Sequence, residues 1–471
     1  MTENSRSLKR SLTHGQMTMI VLGSALGTGL FLGSGEAIDL AGPAVILSYA
    51  LGSLLAAIIG GATGEMAVHS PVRGGFGSIA TKYLGSFAGF LTRWAYWTCT
   101  TVIAGIELVA VASYLRFWWP QLPLWAGIAI FAALIIGLNI RSVKYFGSTE
   151  FILSSVKVIA LIVFIVVGLC LIFFGLPGQD PVGTAHLSSD GGFMPGGIKS
   201  VWLSLAVVMF SFGGIEMISI SAAEAQDPAR SVRTSAKAMM WRLASFYVLA
   251  MFVVMCLLPW RQAAQLGEQV EASPFVMVFA DLGIPAAASV TNLVVLTAAL
   301  SAANANLYAA TRLLHSLAAD AMAPVKLAKV SGQGIPVSAM WASSLGVLLA
   351  IILAVVQPGS AFSTMMTLVM VCALTVWVLI LLAYMAFKRV EGNSSAFRIW
   401  GGRASAALGI LMLLAIWAAL FMAQGNAAPA AIGLVYFMVL TMIYFAVVRK
   451  VYLPDEAIFE EARQASEGSD S

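Results

Sequence analysis

Apolar runs of roughly 20 residues recur along nearly the whole chain, separated by short polar turns, and about twelve can be counted. No other feature leaves the fold so little freedom. At 1.5 Å rise per residue, a helical run of this length matches the ~30 Å hydrocarbon core of a bilayer. Lipid supplies no partners for backbone N–H and C=O groups, so the runs read as helices rather than open strands. They lie at 16–38, 43–67, 85–115, 123–140, 151–176, 198–224, 242–260, 284–316, 336–357, 361–387, 404–423 and 428–449, taken here as spans 1 to 12. Only 10% of the 471 residues are charged, against about 25% in soluble domains. The expected fold is therefore an all-α integral membrane protein of about twelve transmembrane helices.

The distribution of charge orients it. Of 26 Lys and Arg, only Arg116, Lys199 and Arg261 fall on one side of this layout, so roughly 23 fall on the other. The positive-inside rule makes the richer side cytoplasmic and places both termini there. Clusters such as Arg6/Lys9/Arg10, Arg230/Arg233/Lys237/Arg242 and Lys388/Arg389/Arg398/Arg403 agree with this, and no nucleic-acid partner is needed to explain them. Residues 1–15 read as a cytoplasmic arm and 450–471 as an acidic cytoplasmic tail. The basic start is not read as a signal peptide, because the run that follows is long and ends without a small-residue cleavage site. Cys99, Cys170, Cys256 and Cys372 stand singly in separate runs and His14, His69, His186 and His315 are scattered, so neither a disulfide, a metal nor a cofactor is expected.

Span 1 holds Gly23-Ser-Ala-Leu-Gly-Thr-Gly-Leu-Phe-Leu-Gly-Ser-Gly35. Glycine costs about 1 kcal/mol relative to alanine inside a helix, and five glycines here weaken the coil at membrane depth. Two readings weigh equally at this point. Gly23/Gly27 and Gly29/Gly33 are small-xxx-small pairs that let helices pack closely. Alternatively, Ala25, Leu26, Gly27, Thr28 and Gly29 form an unwound hinge facing protein or a water-filled cavity. A dinucleotide-binding fingerprint is dismissed on its spacing and membrane context.

Span 6 tips the balance toward the hinge. It reads Phe210-Ser-Phe-Gly-Gly-Ile-Glu-Met217, a second membrane segment interrupted by glycines. Spans 1–5 (16–176) and 6–10 (198–388) each open with such a segment, the pattern of an inverted-repeat transporter, with spans 11–12 (404–449) added. A broken helix offers bare N–H groups at one half-end and bare C=O groups at the other. An amino acid suits it: its carboxylate would take amides near Thr28 and Gly29, and its ammonium the carbonyls near Ala25, Phe210 and Gly213.

Charged groups inside the spans are the remaining candidates. Glu107 lies midway through span 3, facing either the pocket or a structural partner. Lys157 lies roughly 10 Å into span 5, and by position alone it snorkels to the cytoplasmic interface, the alternative being a buried lysine that exchanges a proton. Glu216 stands beside the glycines of span 6. Asn304 and Asn306 in span 8 are two apart and cannot share a helical face, so at most one reaches a ligand. The outer loop at 261–283, with Glu268, Glu271 and Asp281, reads as a solvated face. Spans 11 and 12 read as scaffold or homodimer surface.

Several stretches together resemble the amino acid–polyamine–organocation superfamily, in its bacterial amino acid permease branch. They are Leu22-Gly-Ser-Ala-Leu-Gly-Thr-Gly-Leu-Phe31, Asn139-Ile-Arg-Ser-Val-Lys-Tyr-Phe-Gly147, Ile215-Glu-Met, Ala222-Ala-Glu-Ala-Gln-Asp-Pro228, Ser301 to Arg312, Ala323-Pro324 and Gly334-Ile-Pro336. The resemblance implies a LeuT-like five-plus-five inverted repeat with helices 1 and 6 unwound, alternating access, and location in the bacterial inner membrane. By matching positions it implies that Ala25, Thr28, Gly29, Phe210, Ser211 and Gly213 hold the amino-acid backbone, and that Glu107 and Asn306 face its side chain. It moves Lys157 from snorkelling to proton coupling. The pattern Ser-Ala-Ala-Asn-Ala-Asn at 301–306 departs from the Asn-Ser expected in this branch. The reading is an amino-acid:proton symporter, with an exchanger, a γ-aminobutyrate permease or a non-transporting sensor as alternatives. An enzyme is set aside because Glu107, Lys157 and Glu216 sit on separate spans without a nucleophile motif.

Overall fold

The computed structural model describes residues 26–69, 75–141, 146–175, 180–222, 228–264, 273–283, 285–331, 335–392, 397–422 and 427–451. Among them there is helix and no strand. Among the described residues, nine helical segments are long and apolar enough to cross a membrane, and two shorter apolar ones, Leu124–Ile140 and Ala244–Leu257, accompany them. In chain order they begin with α1 (Thr28–Phe31), α2 (Gly33–Ala41), α3 (Val45–His69), α4 (Phe76–Leu84), α5 (Ser86–Arg116), α6 (Leu124–Arg141) and α7 (Phe146–Phe173). The second half brings α8 (Gly197–Val208), α9 (Met217–Ala222), α10 (Pro228–Leu257), α11 (Trp260–Ala264), α12 (Pro274–Asp281), α13 (Pro285–Ala319), α14 (Val337–Ser343), α15 (Leu345–Val356) and α16 (Ala361–Val390). Two last helices, α17 (Arg403–Met422) and α18 (Ala427–Ile443), follow.

Each glycine-bearing segment contains described residues that are not α-helical. In the first, Leu26 and Gly27 are not helical, and Gly27 is extended at φ −120°, ψ −164°. Thr28 and Gly29, expected within the unwound stretch, instead form the first turn of α1. In the second, α8 tightens into a 3-10 turn over Met209–Phe212, and 213–216 form a turn before α9 resumes. Gly214 adopts φ +96°, a conformation open to glycine at little cost.

The two readings of the span 1 glycines divide between residues. Gly27 bends the chain. Gly29 lets two backbones meet, for a Cβ there would lie 2.7 Å from Ser211 Cα and 2.8 Å from Ser211 N. Around this crossing α5 forms the central post, packing against α13, α16, α15 and α4, while α3 packs against α10.

Two expectations about loops are corrected. The stretch 261–283 is not simply a solvated face: α12 buries Phe275, Val276, Val278 and Phe279, and Phe275 meets Phe31 edge-on at 5.1 Å between ring centroids. Only Asp281 of its three acids is described, and it is exposed; Glu268 and Glu271 lie outside the described residues. Helix α10 begins at Pro228 rather than near 242, with proline at its first position, where the missing N–H breaks no helical bond.

At the face carrying the ends of α3 and α16, the wholly buried Glu65 accepts from Lys388 Nζ at 2.7 Å, Tyr384 OH at 2.7 Å and Ile399 N at 3.0 Å. Nearby Glu391 meets Tyr83 OH at 3.0 Å, His69 Nε2 at 3.2 Å and Lys82 Nζ at 3.7 Å. Partial burial works to raise the Glu391 carboxyl, but the Tyr83 hydroxyl, the His69 ring and the Lys82 ammonium outweigh it and hold it below the ordinary carboxylate range.

Two outcomes are expected in thermal unfolding of the purified protein. Gly29→Ala should destabilise it by about 1–3 kcal/mol through overpacking, whereas Gly33→Ala, whose Cβ would meet its nearest neighbours at 3.8 Å, should not. Because the Glu391 carboxyl is depressed in the folded state, its stabilisation is full above the unfolded carboxylate pKa and lost as pH falls through the folded one. Glu391→Gln should thus unfold at a lower temperature than its parent at pH 7, with the gap closing below about pH 4.

Candidate functional site

The two glycine-bearing segments touch where Gly29 meets the Ser211 backbone. Starting a helix leaves its first N–H groups bare. At α1 one of these, Thr28 N–H, points to Glu107 Oε1 of α5 at 3.5 Å. Thr28 is 2% exposed and Glu107 3%. Yet Thr28 Oγ1 and Glu107 Oε2 have no hydrogen-bond partner among the described residues. Gly27 makes this approach possible, since a Cβ there would sit 3.0 Å from Glu107 Oε1.

Lys157 of α7 is 1% exposed and lies close enough to Glu107 for the two to interact electrostatically. Its position excludes the snorkelling inferred from sequence position alone. An ammonium this deeply covered is costly unless a counter-charge stands nearby, and Glu107 is that counter-charge.

At the second interruption Phe210 is 8% exposed and stacks edge-on to Phe362 at 6.2 Å. The Ser211 hydroxyl shares a hydrogen bond with Tyr49 OH at 3.1 Å, and its carbonyl accepts from Tyr247 OH at 2.8 Å. Gly213 N donates back to Phe210 O at 3.2 Å and so closes the turn. Glu216 accepts from Gly214 N at 3.2 Å and from Trp377 Nε1 at 3.1 Å, which links the broken segment to α16.

The structure thus gathers Leu26, Gly27, Thr28, Gly29, Glu107, Lys157, Phe210 and Ser211 around one crossing, with Gly213 and Glu216 in the adjoining turn. Leu26 is wholly buried, so only its main chain has polar groups to offer. Ala25 lies outside the described residues, as does Glu224. Asn306 donates to Ala302 O of its own helix at 2.9 Å, and that helix packs against α1. Asn304 accepts from Asn139 Nδ2 of α6 at 2.7 Å, so its carboxamide is committed to an inter-helix bond, in keeping with at most one of the pair reaching a ligand.

Tyr49, Tyr247 and Trp377 escaped the sequence reading. The available signal was chemical: a phenol or indole inside an apolar helix carries a polar handle that must find a partner. Here those partners are the Ser211 hydroxyl for Tyr49, the Ser211 carbonyl for Tyr247 and the Glu216 carboxylate for Trp377.

Inverted-repeat transporters place their binding sites where paired membrane helices lose their coil. The amino acid permease family model matches residues 16–456. The aromatic amino acid transport protein AroP of Escherichia coli is 39% identical over 83% of this chain and 84% of its own length. The AroP proteins of Shigella flexneri and Salmonella typhimurium are 39% and 40% identical over the same shares. The chain belongs to the amino acid permease family. It is an amino acid transporter and not an enzyme.

The unpartnered Thr28 hydroxyl offers a direct check. Removing a buried polar group that lacks a protein partner should not weaken the fold, while losing its bond to a charged ligand should cost about 1.5–3 kcal/mol. Thr28→Val is expected to leave the melting temperature of the ligand-free protein unchanged or higher, and to weaken amino-acid binding about 10- to 100-fold by scintillation proximity.

Proposed function

We propose that this permease takes up neutral amino acids, aromatic ones among them, by proton symport with alternating access in the bacterial inner membrane, both termini lying in the cytoplasm. The observation that carries this reading is the pair of buried, unpartnered polar atoms at the crossing, the Thr28 hydroxyl, which can donate, and Glu107 Oε2, which can accept, beside the Thr28 N–H that opens α1. The substrate carboxylate would take the Thr28 hydroxyl and the amides of Thr28 and Gly29, displacing the long bond from Glu107. Its ammonium would take Glu107 and the carbonyls around Phe210. With both charges matched, the dehydration cost is offset at both ends.

For the side chain, the Phe210 ring backed by Phe362 offers an aromatic surface. Aromatic substrates are suggested by the name of the AroP relatives. Asn306 would border that end of the pocket. The Glu107–Lys157 pair supplies the coupling: a carboxylate and an ammonium buried together can exchange one proton as the pocket opens to alternate sides. Glu216, tied to Trp377, would gate the inner route between the broken segment and α16. The exposed apolar face of α17 and α18, with Leu411, Ile432 and Met438, would meet lipid or a second copy.

Proteoliposomes decide among the alternatives. A radiolabelled mixture of the twenty standard amino acids and γ-aminobutyrate should accumulate under an inward proton gradient without sodium, and unlabelled phenylalanine, tyrosine or tryptophan should compete more strongly than γ-aminobutyrate or lysine. Strict sodium dependence would overturn the role of Lys157, and uptake only against internal amino acid would make the protein an exchanger.

A further inference from the structure

The unpartnered groups at the crossing do not stand alone. One helical face further along α5, seven residues and so about 10 Å beyond Glu107, lies Tyr114. It is 0% exposed, one of the largest wholly buried side chains, and its hydroxyl has no hydrogen-bond partner among the described residues. Helical side chains lean toward the N-terminus of their helix, which tips the Tyr114 ring back toward Glu107. The two are close enough to interact electrostatically.

Across from Tyr114, on α13, stands Asn292, also 0% exposed. Its Nδ2 donates to the Tyr114 carbonyl at 2.8 Å, while its Oδ1 has no partner among the described residues. Tyr114 lies two residues from the end of α5 at Arg116. Buried polar atoms without a partner among the described residues thus occur beside the first turn of α1, at Thr28 Oγ1 and Glu107 Oε2, and again toward the end of α5, at Tyr114 OH and Asn292 Oδ1.

Each such atom, left dry, costs on the order of 1–3 kcal/mol. Phenylalanine at 114 would fill the same space without that cost. Buried polar groups of this kind are met by ordered water, one molecule bridging two or more of them. The groups brought to Tyr114 from its surroundings are the Glu107 carboxylate on its own helix, the Lys157 ammonium of α7 acting through Glu107, the Thr28 hydroxyl of α1 and the Asn292 carboxamide of α13.

We propose that the Tyr114 hydroxyl is the outer relay of the coupling proton, receiving it from a water held on Asn292 Oδ1 and passing it to a water on Glu107 Oε2. The step is balanced: the hydroxyl oxygen forms one O–H bond to the arriving proton and breaks the bond to its own, which moves inward, so Tyr114 stays neutral and the Glu107–Lys157 pair gains the proton. Asn292 is a positioning residue, since its amide orders the water without itself exchanging. This rests on the symport reading and adds to it the side from which the proton arrives.

The test uses full-length protein in liposomes loaded with a pH-sensitive dye and given a mixture of the twenty standard amino acids and γ-aminobutyrate. Tyr114→Phe should slow amino-acid-driven acidification of the interior at least tenfold. Counterflow of the labelled mixture, which needs no net proton movement, should fall less than threefold, and the rise of uptake rate with external acidity should flatten. The double variant Tyr114→Phe/Glu107→Gln should acidify no more slowly than Glu107→Gln alone, as expected of two residues in one path. If the parent protein acidifies and Tyr114→Phe slows both readouts equally or neither, the relay is wrong and the tyrosine is structural. If the parent does not acidify at all, the symport reading itself falls.

Discussion

Hydrocarbon cannot hydrogen-bond a peptide group, and the rest of this structure depends on that. Every long segment must satisfy its own backbone, so the apolar runs coil. Where a segment stops coiling, its freed groups must meet protein, water or a ligand. Within the two glycine-bearing segments, the described residues leave the α-helix at Leu26–Gly27 and at 213–216. Both interruptions are enclosed by other helices, and several of their polar groups are met by side chains: Tyr247 on the Ser211 carbonyl, Glu216 on the Gly214 amide. What is left over, at Thr28 and Glu107, belongs to the transported molecule in the reading put forward here.

The same interruption weakens the helix and builds the site. A glycine at 27 lets the chain bend and admits the Glu107 carboxylate, and a glycine at 29 admits the Ser211 backbone. Alanine or valine at either place would strengthen the coil by local propensity. It would also close the approach on which the site depends.

The buried charges are arranged on the same principle. Glu65 is surrounded by three donors and ties α3 to α16. Glu216 has two and ties the second break to α16. Glu107 differs, with one long bond and one oxygen without a partner. Fully satisfied carboxylates fix helices in place, whereas an incompletely satisfied one beside a buried ammonium is poised to change partner.

Much was legible in the sequence because periodicity and breakers are local. Apolar runs mark where helices cross, and paired glycines at corresponding places mark where two of them break. Chain-local signals stop there. Whether Gly29 bends or packs depends on Ser211, about 180 residues away, and whether Lys157 reaches the surface depends on Glu107 in another helix. The burial of α12 depends on Phe31, and the roles of Tyr49, Tyr247 and Trp377 on groups of Ser211 and Glu216 that they meet only after folding. The sequence by itself determined an all-helical membrane protein with two weakened segments. Tertiary structure alone decided which polar groups those segments share and which stay open, because that is set by the distance between helices and not by the order of residues within one.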